Sequence, residues 1–339
     1  MMRLPWFRHE SPRSIPEAAR MLAAEGPNAM LIAGGTDLLP NMKRRQQAPQ
    51  VLVSLRRVEG MKRIANGHGL TLGGALTLTE VAAAPAVRDQ YRGLWQAASQ
   101  VATEHLRNMG TLGGNLCLDT RCNYYDQNYE WRKAIDFCMK KDGEICWVAT
   151  ASKRCVAVSA TDCAPALIAL GAKVRLVSSA GERLLPLADL YRNDGIDYLT
   201  RQRDEILTDV ILPEAPSWKS CYWKLRRRGS FDFPVLGVAA AVKTAGDGTV
   251  EAARIALGAV SSHPFLTRAG EYLAGKRLTD DVIAEAGRIV ASRAKPMDNT
   301  DLDVYWRKQV VAEFVGYALK EIRGDDMNAV RVRIARRVL

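Results

Sequence analysis

The chain has 339 residues, of which 47% are hydrophobic and 25% charged, and these proportions exclude a disordered or fibrous protein. A chain of this length is expected to form two domains, or one large domain with elaborations. No apolar run approaches the roughly 18 residues of a membrane span, and the first residues lack the apolar core of a secretion signal. We therefore expect a cytoplasmic protein with no membrane contact.

The net charge of +11, from 48 basic and 37 acidic residues, is compatible with nucleic acid, an anionic cofactor or an acidic protein as partner. The sequence has no zinc-finger spacing and no ribonucleoprotein-type aromatic motif. We therefore do not expect nucleic acid as a partner. A solvated basic face is the simplest interpretation of the charge.

The first third of the chain alternates short helices and strands, punctuated by glycine. Ser14-Ile15-Pro16-Glu17 predicts the start of a helix, and an apolar strand at Ala29 to Ala33 ends in Gly34-Gly35-Thr36. Further strands are predicted near residues 51–55, 62–65 and 70–75, and further helices near 77–85 and 91–103. Three glycines within residues 110–114 then predict a loop whose backbone something approaches closely.

Residues from about 117 to 160 are polar, aromatic and rich in cysteine, and their weak periodicity predicts an irregular insertion. Regular structure is predicted again as a helix at 164–170 and strands at 173–178 and 205–212. Two prolines near residue 213 suggest a domain boundary there. Beyond it, three antiparallel strands near 221–226, 235–242 and 250–260 precede three helices near 266–273, 281–293 and 305–322.

The two glycine turns are candidate phosphate-binding sites. Neither matches a dinucleotide fingerprint or a P-loop, but each places adjacent glycines beside a threonine, with Asp37 or Asn115 close by. Successive backbone N–H groups without side chains can form a nest for a pyrophosphate, and two such turns can hold one dinucleotide from opposite sides. The alternative is that both are simply tight turns at strand ends.

Together the two motifs resemble the FAD-binding medium subunit of the molybdenum hydroxylases, the xanthine dehydrogenase and carbon monoxide dehydrogenase family. The motifs that carry the resemblance are Ile32-Ala33-Gly34-Gly35-Thr36-Asp37, Arg107-Asn108-x-x-Thr111-x-Gly113-Gly114-Asn115, Thr161-Asp162-x-Ala164-Pro165-Ala166-Leu167, Glu205-Ile206-Leu207, Tyr222-x-Lys224 and Phe231-x-Phe233-Pro234-x-x-Gly237-Val238-Ala239. They follow one another in the family's order along nearly the whole chain.

The resemblance implies an α+β fold: a two-lobed FAD-binding domain of the PCMH/VAO type at residues 1–216, with lobes at about 1–57 and 58–216. A C-terminal domain of the carbon monoxide dehydrogenase flavoprotein type, with a three-stranded antiparallel sheet and helices, would follow at 217–330. The implied FAD-binding residues are Ala29, Met30, Leu31, Ile32, Ala33, Gly34, Gly35, Thr36, Val101, Thr111, Gly114, Asn115, Asp162, Leu207 and Lys224. For Val101 a core position, and for Asp162 a helix N-cap, are alternative roles.

The insertion carries four of the seven cysteines: Cys122, Cys138, Cys146 and Cys155. Four thiolates on one polar loop suit Zn²⁺ or an iron–sulfur cluster. The absence of Cys-x-x-Cys knuckles favours the bulkier cluster. Cys117 and Cys163 lie at the ends of the insertion and are predicted to be structural, and Cys221 is predicted to lie in the core.

Within the family, the insertion is similar to the [4Fe–4S] loop of flavin subunits of the 4-hydroxybenzoyl-CoA reductase type. This resemblance implies that ferredoxin donates electrons, which pass through the cluster and FAD to a small [2Fe–2S] subunit and a large molybdenum-cofactor subunit, in a dimer of heterotrimers. No residue of this chain would then be catalytic. The alternatives are the FAD subunit of a related oxidative hydroxylase and a zinc-stabilised module that binds an acidic partner.

Overall fold

The computed structural model describes residues 3–229 and 231–336, and three β-sheets organise them. The strands are β1 Arg8–Glu10, β2 Ala29–Ile32, β3 Val51–Ser54, β4 Ile64–Gly67, β5 Gly69–Gly73, β6 Lys173–Ser178, β7 Gly181–Pro186, β8 Ile206–Leu212, β9 Trp218–Leu225, β10 Leu236–Thr244, β11 Val250–Gly258 and β12 Phe265–Leu266. The helices are α1 Ile15–Glu25, α2 Leu38–Lys43, α3 Leu78–Ala83, α4 Pro85–Gln90, α5 Arg92–Ser99, α6 Glu104–Arg107, α7 Leu112–Leu116, α8 Tyr129–Ala134, α9 Cys163–Leu170, α10 Ala269–Leu273, α11 Asp280–Arg293, α12 Val304–Arg323 and α13 Asn328–Arg336.

The first sheet is parallel, with β3 between β1 and β2. Helix α1 begins as expected: the Ser14 hydroxyl accepts the Glu17 N–H at 3.3 Å, and a proline occupies the first turn. Its buried face, which includes Leu22, packs in the same core as the fully buried strand β3. This small layer holds the carboxyl end of β2, and with it the Gly34-Gly35 turn, at the edge of the lobe.

The second sheet has five antiparallel strands in the order β4-β5-β8-β6-β7. Helices α3, α5 and α9 cover it, and their apolar residues form the largest core of the protein. Every residue of α9 is buried, because the helix also contacts the C-terminal sheet at β10 and β11. An almost wholly apolar sequence is what a helix enclosed on all sides requires.

The C-terminal sheet has the order β12-β11-β10-β9 and is backed by α10, α11 and α12. The expected α+β fold is therefore confirmed, with a short fourth strand, β12, added to the three predicted strands. Two expectations differ in detail. The predicted helix 91–103 ends at Ser99, and β7, an edge strand with mostly exposed residues, has no predicted counterpart.

The insertion contains one helix, α8, and otherwise consists of turns and isolated bridges, as its sequence predicts. Arg121 and Val158 exchange two backbone hydrogen bonds of 2.8 and 2.7 Å, which close its base. The Arg132 guanidinium donates to the Arg44 carbonyl at 3.0 Å and attaches the loop to the first lobe. None of the helices in the described part of the chain is long and apolar enough to cross a membrane.

Candidate cofactor sites

A cleft of about 410 Å³ lies between the two lobes of the N-terminal half. All but two of the predicted FAD-binding residues line it: Met30, Leu31, Ile32, Ala33, Gly34, Gly35, Thr36, Val101, Thr111, Gly114, Asn115, Asp162 and Leu207. Ala29 lies at the start of β2, opposite Val51, and Lys224 lies in β9 behind the wall. Sequence motifs that are far apart in the chain therefore meet at one cavity.

The Gly34-Gly35 turn meets the second glycine loop across the cleft. A Cβ on Gly34 would lie 2.0 Å from the Met109 carbonyl oxygen, so the two lobes touch through backbone alone. Gly35 has a φ of +71°, a conformation that L side chains rarely adopt. On the other side, a Cβ on Gly114 would meet only the Thr111 hydroxyl, at 2.9 Å. The glycines thus keep backbone exposed to whatever occupies the cleft.

Thr111 and Asn115 organise the second glycine loop rather than simply facing the cleft. The Thr111 hydroxyl accepts the Gly114 N–H at 3.1 Å and so caps α7. The Asn115 side-chain oxygen accepts from the Thr161 hydroxyl at 2.8 Å and from the Cys163 N–H at 3.1 Å. These bonds join the loop before the insertion to the helix after it, so the insertion leaves the cleft wall continuous.

Asp162 does not cap α9 with its side chain, contrary to the alternative role considered for it. Its carboxylate instead accepts from the Lys224 ammonium at 3.0 Å and from the Tyr222 hydroxyl at 2.8 Å. The Thr161 hydroxyl accepts the Ala164 N–H at 3.3 Å in its place. Burial raises the pKa of Asp162 and lowers the pKa of Lys224, and their mutual attraction opposes both shifts. The pair thus anchors the cleft wall to the C-terminal sheet.

Several residues of the cleft were missed by sequence analysis. They are Gln47, Asp119, Tyr198, Arg201, Arg228 and Asp232. Phe231 and Phe233 also line the cleft, although the sequence pointed to them only as part of a family-like run. Arg121 stacks on the Phe233 ring at 4.6 Å and forms an ion pair with Asp37, just after the first glycine turn. The Phe231 and Phe233 side chains are each nearly half exposed, which suits an apolar contact with a bound ligand.

The cleft fits FAD in the kinds of group that it presents. Two glycine turns offer unobstructed backbone to a pyrophosphate, and β2 contributes an apolar wall. Aromatic rings and arginines on the remaining sides suit a flat, partly charged ligand. These groups suit the binding and orientation of a cofactor. The charged groups at the edge of the cleft, Asp162 and Lys224, form a buried ion pair with each other.

A second, smaller cavity lies inside the insertion. Cys122, Cys138, Cys146 and Cys155 all line it, and each is less than a tenth exposed. Tyr124, Tyr125, Met139 and Val148 pack around them. The structure therefore gathers the four cysteines that the sequence singled out. The space between them is about 10 Å³, so a cluster would have to part these side chains.

Backbone turns hold the thiols of this cysteine pocket in place. The Cys138 carbonyl accepts from the Lys141 and Gly143 N–H groups at 2.8 and 3.1 Å, and the Cys155 carbonyl accepts from Gly195 at 2.9 Å. The Asp126 carboxylate accepts the Cys122 N–H at 3.1 Å. Each cysteine thus has a local backbone constraint or a buried neighbour. Among the described residues no β-ladder crosses the cysteine pocket, so no ladder prevents the pocket from widening.

Burial raises the pKa of Cys122 to about 12 and that of Cys155 to about 11, so both thiols stay protonated without a cation. Within the described residues, no group of three or more histidine, cysteine or carboxylate side chains is placed to hold a single metal ion. Cys163 and Cys221, by contrast, lie in the large cores, as expected, and Cys117 borders the FAD cleft.

Comparisons with known proteins agree with this architecture. Residues 5–215 match the FAD binding domain in molybdopterin dehydrogenase, and residues 220–322 match the CO dehydrogenase flavoprotein C-terminal domain. The chain is 33% identical over 267 residues to the aldehyde oxidoreductase FAD-binding subunit PaoB of Escherichia coli K12, an alignment that covers 76% of this chain and 82% of that protein. It is 28% identical to the nicotinate dehydrogenase FAD-subunit of Eubacterium barkeri, over 90% of this chain and 92% of that one.

Among solved structures, the chain resembles carbon monoxide dehydrogenase from Oligotropha carboxidovorans with a TM-score of 0.78 and 22% identity, over 95% of this chain and 99% of that chain. Quinoline 2-oxidoreductase from Pseudomonas putida 86 gives a TM-score of 0.75 and 25% identity, over 95% and 98% of the two chains. The family match over more than half of the chain and the 33% identity to a curated relative lead to one conclusion: the chain belongs to the FAD-binding subunits of the molybdopterin dehydrogenases.

Proposed function

We propose that this chain is an electron-transfer subunit with two cofactors, FAD in the cleft and a [4Fe–4S] cluster in the cysteine pocket. The observation that carries the proposal is the convergence of all four insertion cysteines on one buried cavity, separate from the cleft. When bound, FAD exchanges one or two electrons and a [4Fe–4S] cluster exchanges one, so the pair serves as an adaptor between carriers.

The spacing of the four cysteines along the sequence, without a Cys-x-x-Cys knuckle, favours a cluster over zinc. A structural zinc site brings four ligands to about 2.0–2.3 Å from one ion. The four cysteines come from separate turns and line a common space of about 10 Å³, which would widen to admit a cluster. Four cysteine thiolates can hold a [4Fe–4S] cluster.

For the direction of electron flow, the relatives favour an oxidative enzyme. Their names include an aldehyde oxidoreductase, a nicotinate dehydrogenase and a carbon monoxide dehydrogenase medium chain. We infer that electrons from a substrate, oxidised at a molybdenum cofactor in a large subunit, reach this chain through a small [2Fe–2S] subunit. Assembly of the three subunits, as a dimer of heterotrimers, is part of the proposal.

The second candidate is the reverse flow, from ferredoxin through this chain to a partner that reduces 4-hydroxybenzoyl-CoA. The observation that favours it is the insertion itself, whose four cysteines line one pocket, because the sequence of this insertion resembles the loop of that enzyme type. The net charge of +11 suits an acidic ferredoxin as donor, as it also suits acidic partner subunits.

The experiment uses the complete complex, purified without oxygen, and follows flavin absorbance and the cluster's electron paramagnetic resonance signal. Rapid reduction by an aldehyde or an N-heteroaromatic substrate, with no other reductant, would support the oxidative enzyme. Reduction only by ferredoxin, with consumption of 4-hydroxybenzoyl-CoA, would support the second candidate. A complex that contains this chain but lacks flavin, or whose reduced form shows no [4Fe–4S] signal beside those of the small subunit, would contradict the proposal.

A further inference from the structure

The wall between the two cavities contains a buried ion pair. Lys140 lines the cysteine pocket, Asp119 lines the FAD cleft, and the Lys140 ammonium donates to the Asp119 carboxylate at 2.9 Å. Both side chains are 6% exposed. A single contact between two charged groups thus spans the wall from one cofactor site to the other.

The ammonium of Lys140 is held in a fixed position. Besides Asp119, it donates to the Thr120 hydroxyl at 2.7 Å and to the Gly195 carbonyl at 2.6 Å. All three of its donors are therefore used. It also lies 4.7 and 5.5 Å from the ring centroids of Tyr125 and Tyr198. These contacts hold a positive charge beside the cysteine pocket.

The carboxylate of Asp119 is fixed just as fully on the other side. Its second oxygen accepts from the Tyr125 hydroxyl at 3.0 Å and from the Gln47 amide at 3.2 Å. Gln47 and Tyr198 line the FAD cleft beside it, whereas Tyr125 lines the cysteine pocket. The ion pair therefore has a defined direction, with its positive end toward the thiols and its negative end toward the cleft.

We propose that the Lys140–Asp119 pair sets the difference in redox potential between the two cofactors. A buried positive charge stabilises the reduced, more negative state of a nearby cluster, and a negative charge stabilises an oxidised flavin. In a wall of low dielectric constant such effects are much stronger than in water. The orientation thus favours an electron on the cluster rather than on the flavin. This inference rests on the proposed presence of both cofactors.

The neighbouring Lys141 provides a matched control. It carries the same charge one position along the chain, but its side chain is 39% exposed and pairs with Asp142 at the surface. Water screens its charge, so Lys141→Met should leave both potentials unchanged. Lys140→Arg keeps the positive charge and should preserve most of the effect. Asp119→Asn removes the negative end and keeps an acceptor for Tyr125.

The test is an anaerobic redox titration of the complex, with the flavin followed by absorbance and the cluster by paramagnetic resonance. At a fixed potential, Lys140→Met should lower the ratio of reduced to oxidised cluster about tenfold. This change is equivalent to about 59 mV for a one-electron couple. The same substitution should change the ratio of reduced to oxidised flavin less. Asp119→Asn should show the opposite pattern, with the larger shift, toward reduction, at the flavin.

The outcomes separate this inference from the function on which it rests. A wild-type complex whose iron and sulfide are fully accounted for by the small [2Fe–2S] subunit would overturn both. A cluster that is present but titrates alike in Lys140→Met and Lys141→Met would overturn the inference alone. If Lys140→Met does not retain its cluster, Asp119→Asn becomes the deciding variant. A larger shift in the potential of the flavin than in that of the cluster would support the inference. Equal shifts in the two potentials, or none, would overturn it.

Discussion

The FAD cleft and the cysteine pocket are built in opposite ways. The cleft presents backbone at the ends of regular elements: the turn after β2 and the glycine loop that leads into α7. The pocket presents side chains from an irregular insertion whose only helix is α8. One site depends on residues that lack side chains, and the other depends on four particular side chains.

Because the two sites are built differently, we expect them to differ in whether the site folds before its cofactor binds. Two sheets and their cores hold the glycine turns in place, so the cleft should form before FAD binds. The insertion has only a small apolar cluster of its own around the cysteines. Metal binding contributes directly to folding where the protein core is small. We therefore expect the insertion to need the cluster in order to fold, and the FAD-binding domain to fold without FAD.

The largest expected effect follows from Gly34→Val. Its Cβ would lie 2.0 Å from the Met109 carbonyl oxygen, and neither backbone segment can yield without separating the lobes. We expect loss of FAD and destabilisation of at least about 3 kcal/mol, measured by chemical denaturation. Gly67→Val is the control, because no atom lies within 4 Å of a Cβ there. Retention of FAD by Gly34→Val would refute the backbone contact between the lobes.

Lys224→Met should have a comparable effect on stability, without a direct clash at the glycine turns. It leaves the Asp162 carboxylate buried without its cation, a change that costs about 3–5 kcal/mol. The double variant with Asp162→Asn should recover much of the loss, because no unpaired charge remains. Lys219→Met, on an exposed position of the same strand, is the control. Equal stability of the Lys224 and Lys219 variants in urea would show that the buried pair has no structural role.

Cys138→Ser should act on the cysteine pocket alone. Loss of one thiolate removes a cluster ligand, so we expect loss of iron and sulfide with FAD retained. Cys221→Ser is the control, since Cys221 lies in the C-terminal sheet and donates to the Ala318 carbonyl at 3.3 Å. Metal and flavin analysis measures both. Simultaneous loss of flavin from Cys138→Ser would mean that the two sites are not independent.

Gly114→Ala should have the smallest effect. The added methyl group meets only the Thr111 hydroxyl, at 2.9 Å, and this side chain can move. Disturbing the cap of α7 costs about 1 kcal/mol, so FAD affinity should fall by about tenfold or less, as measured by flavin fluorescence titration. Gly246→Ala, at a position with open space around it, should bind FAD normally. A complete loss of FAD would indicate a tighter pyrophosphate contact than this geometry implies.

The glycine turns and the cysteine set could be predicted from sequence because each is a local pattern whose chemistry is carried by residue type. The partners of Asp162 could not, because Tyr222 and Lys224 lie about sixty positions away and a carboxylate before an apolar helix is typical of a cap. Tyr198 and Arg201 lie in an irregular stretch with no pattern to mark them. The Lys140–Asp119 pair was missed because its significance depends on where the two cavities lie.

The most direct test of the central claim, that one chain carries two separate cofactor sites, is the cofactor content of protein purified without oxygen. We expect about one FAD with about four iron and four sulfide ions per chain in the isolated subunit, the content of one [4Fe–4S] cluster. FAD accompanied by zinc, or by no metal in properly folded protein, would contradict it.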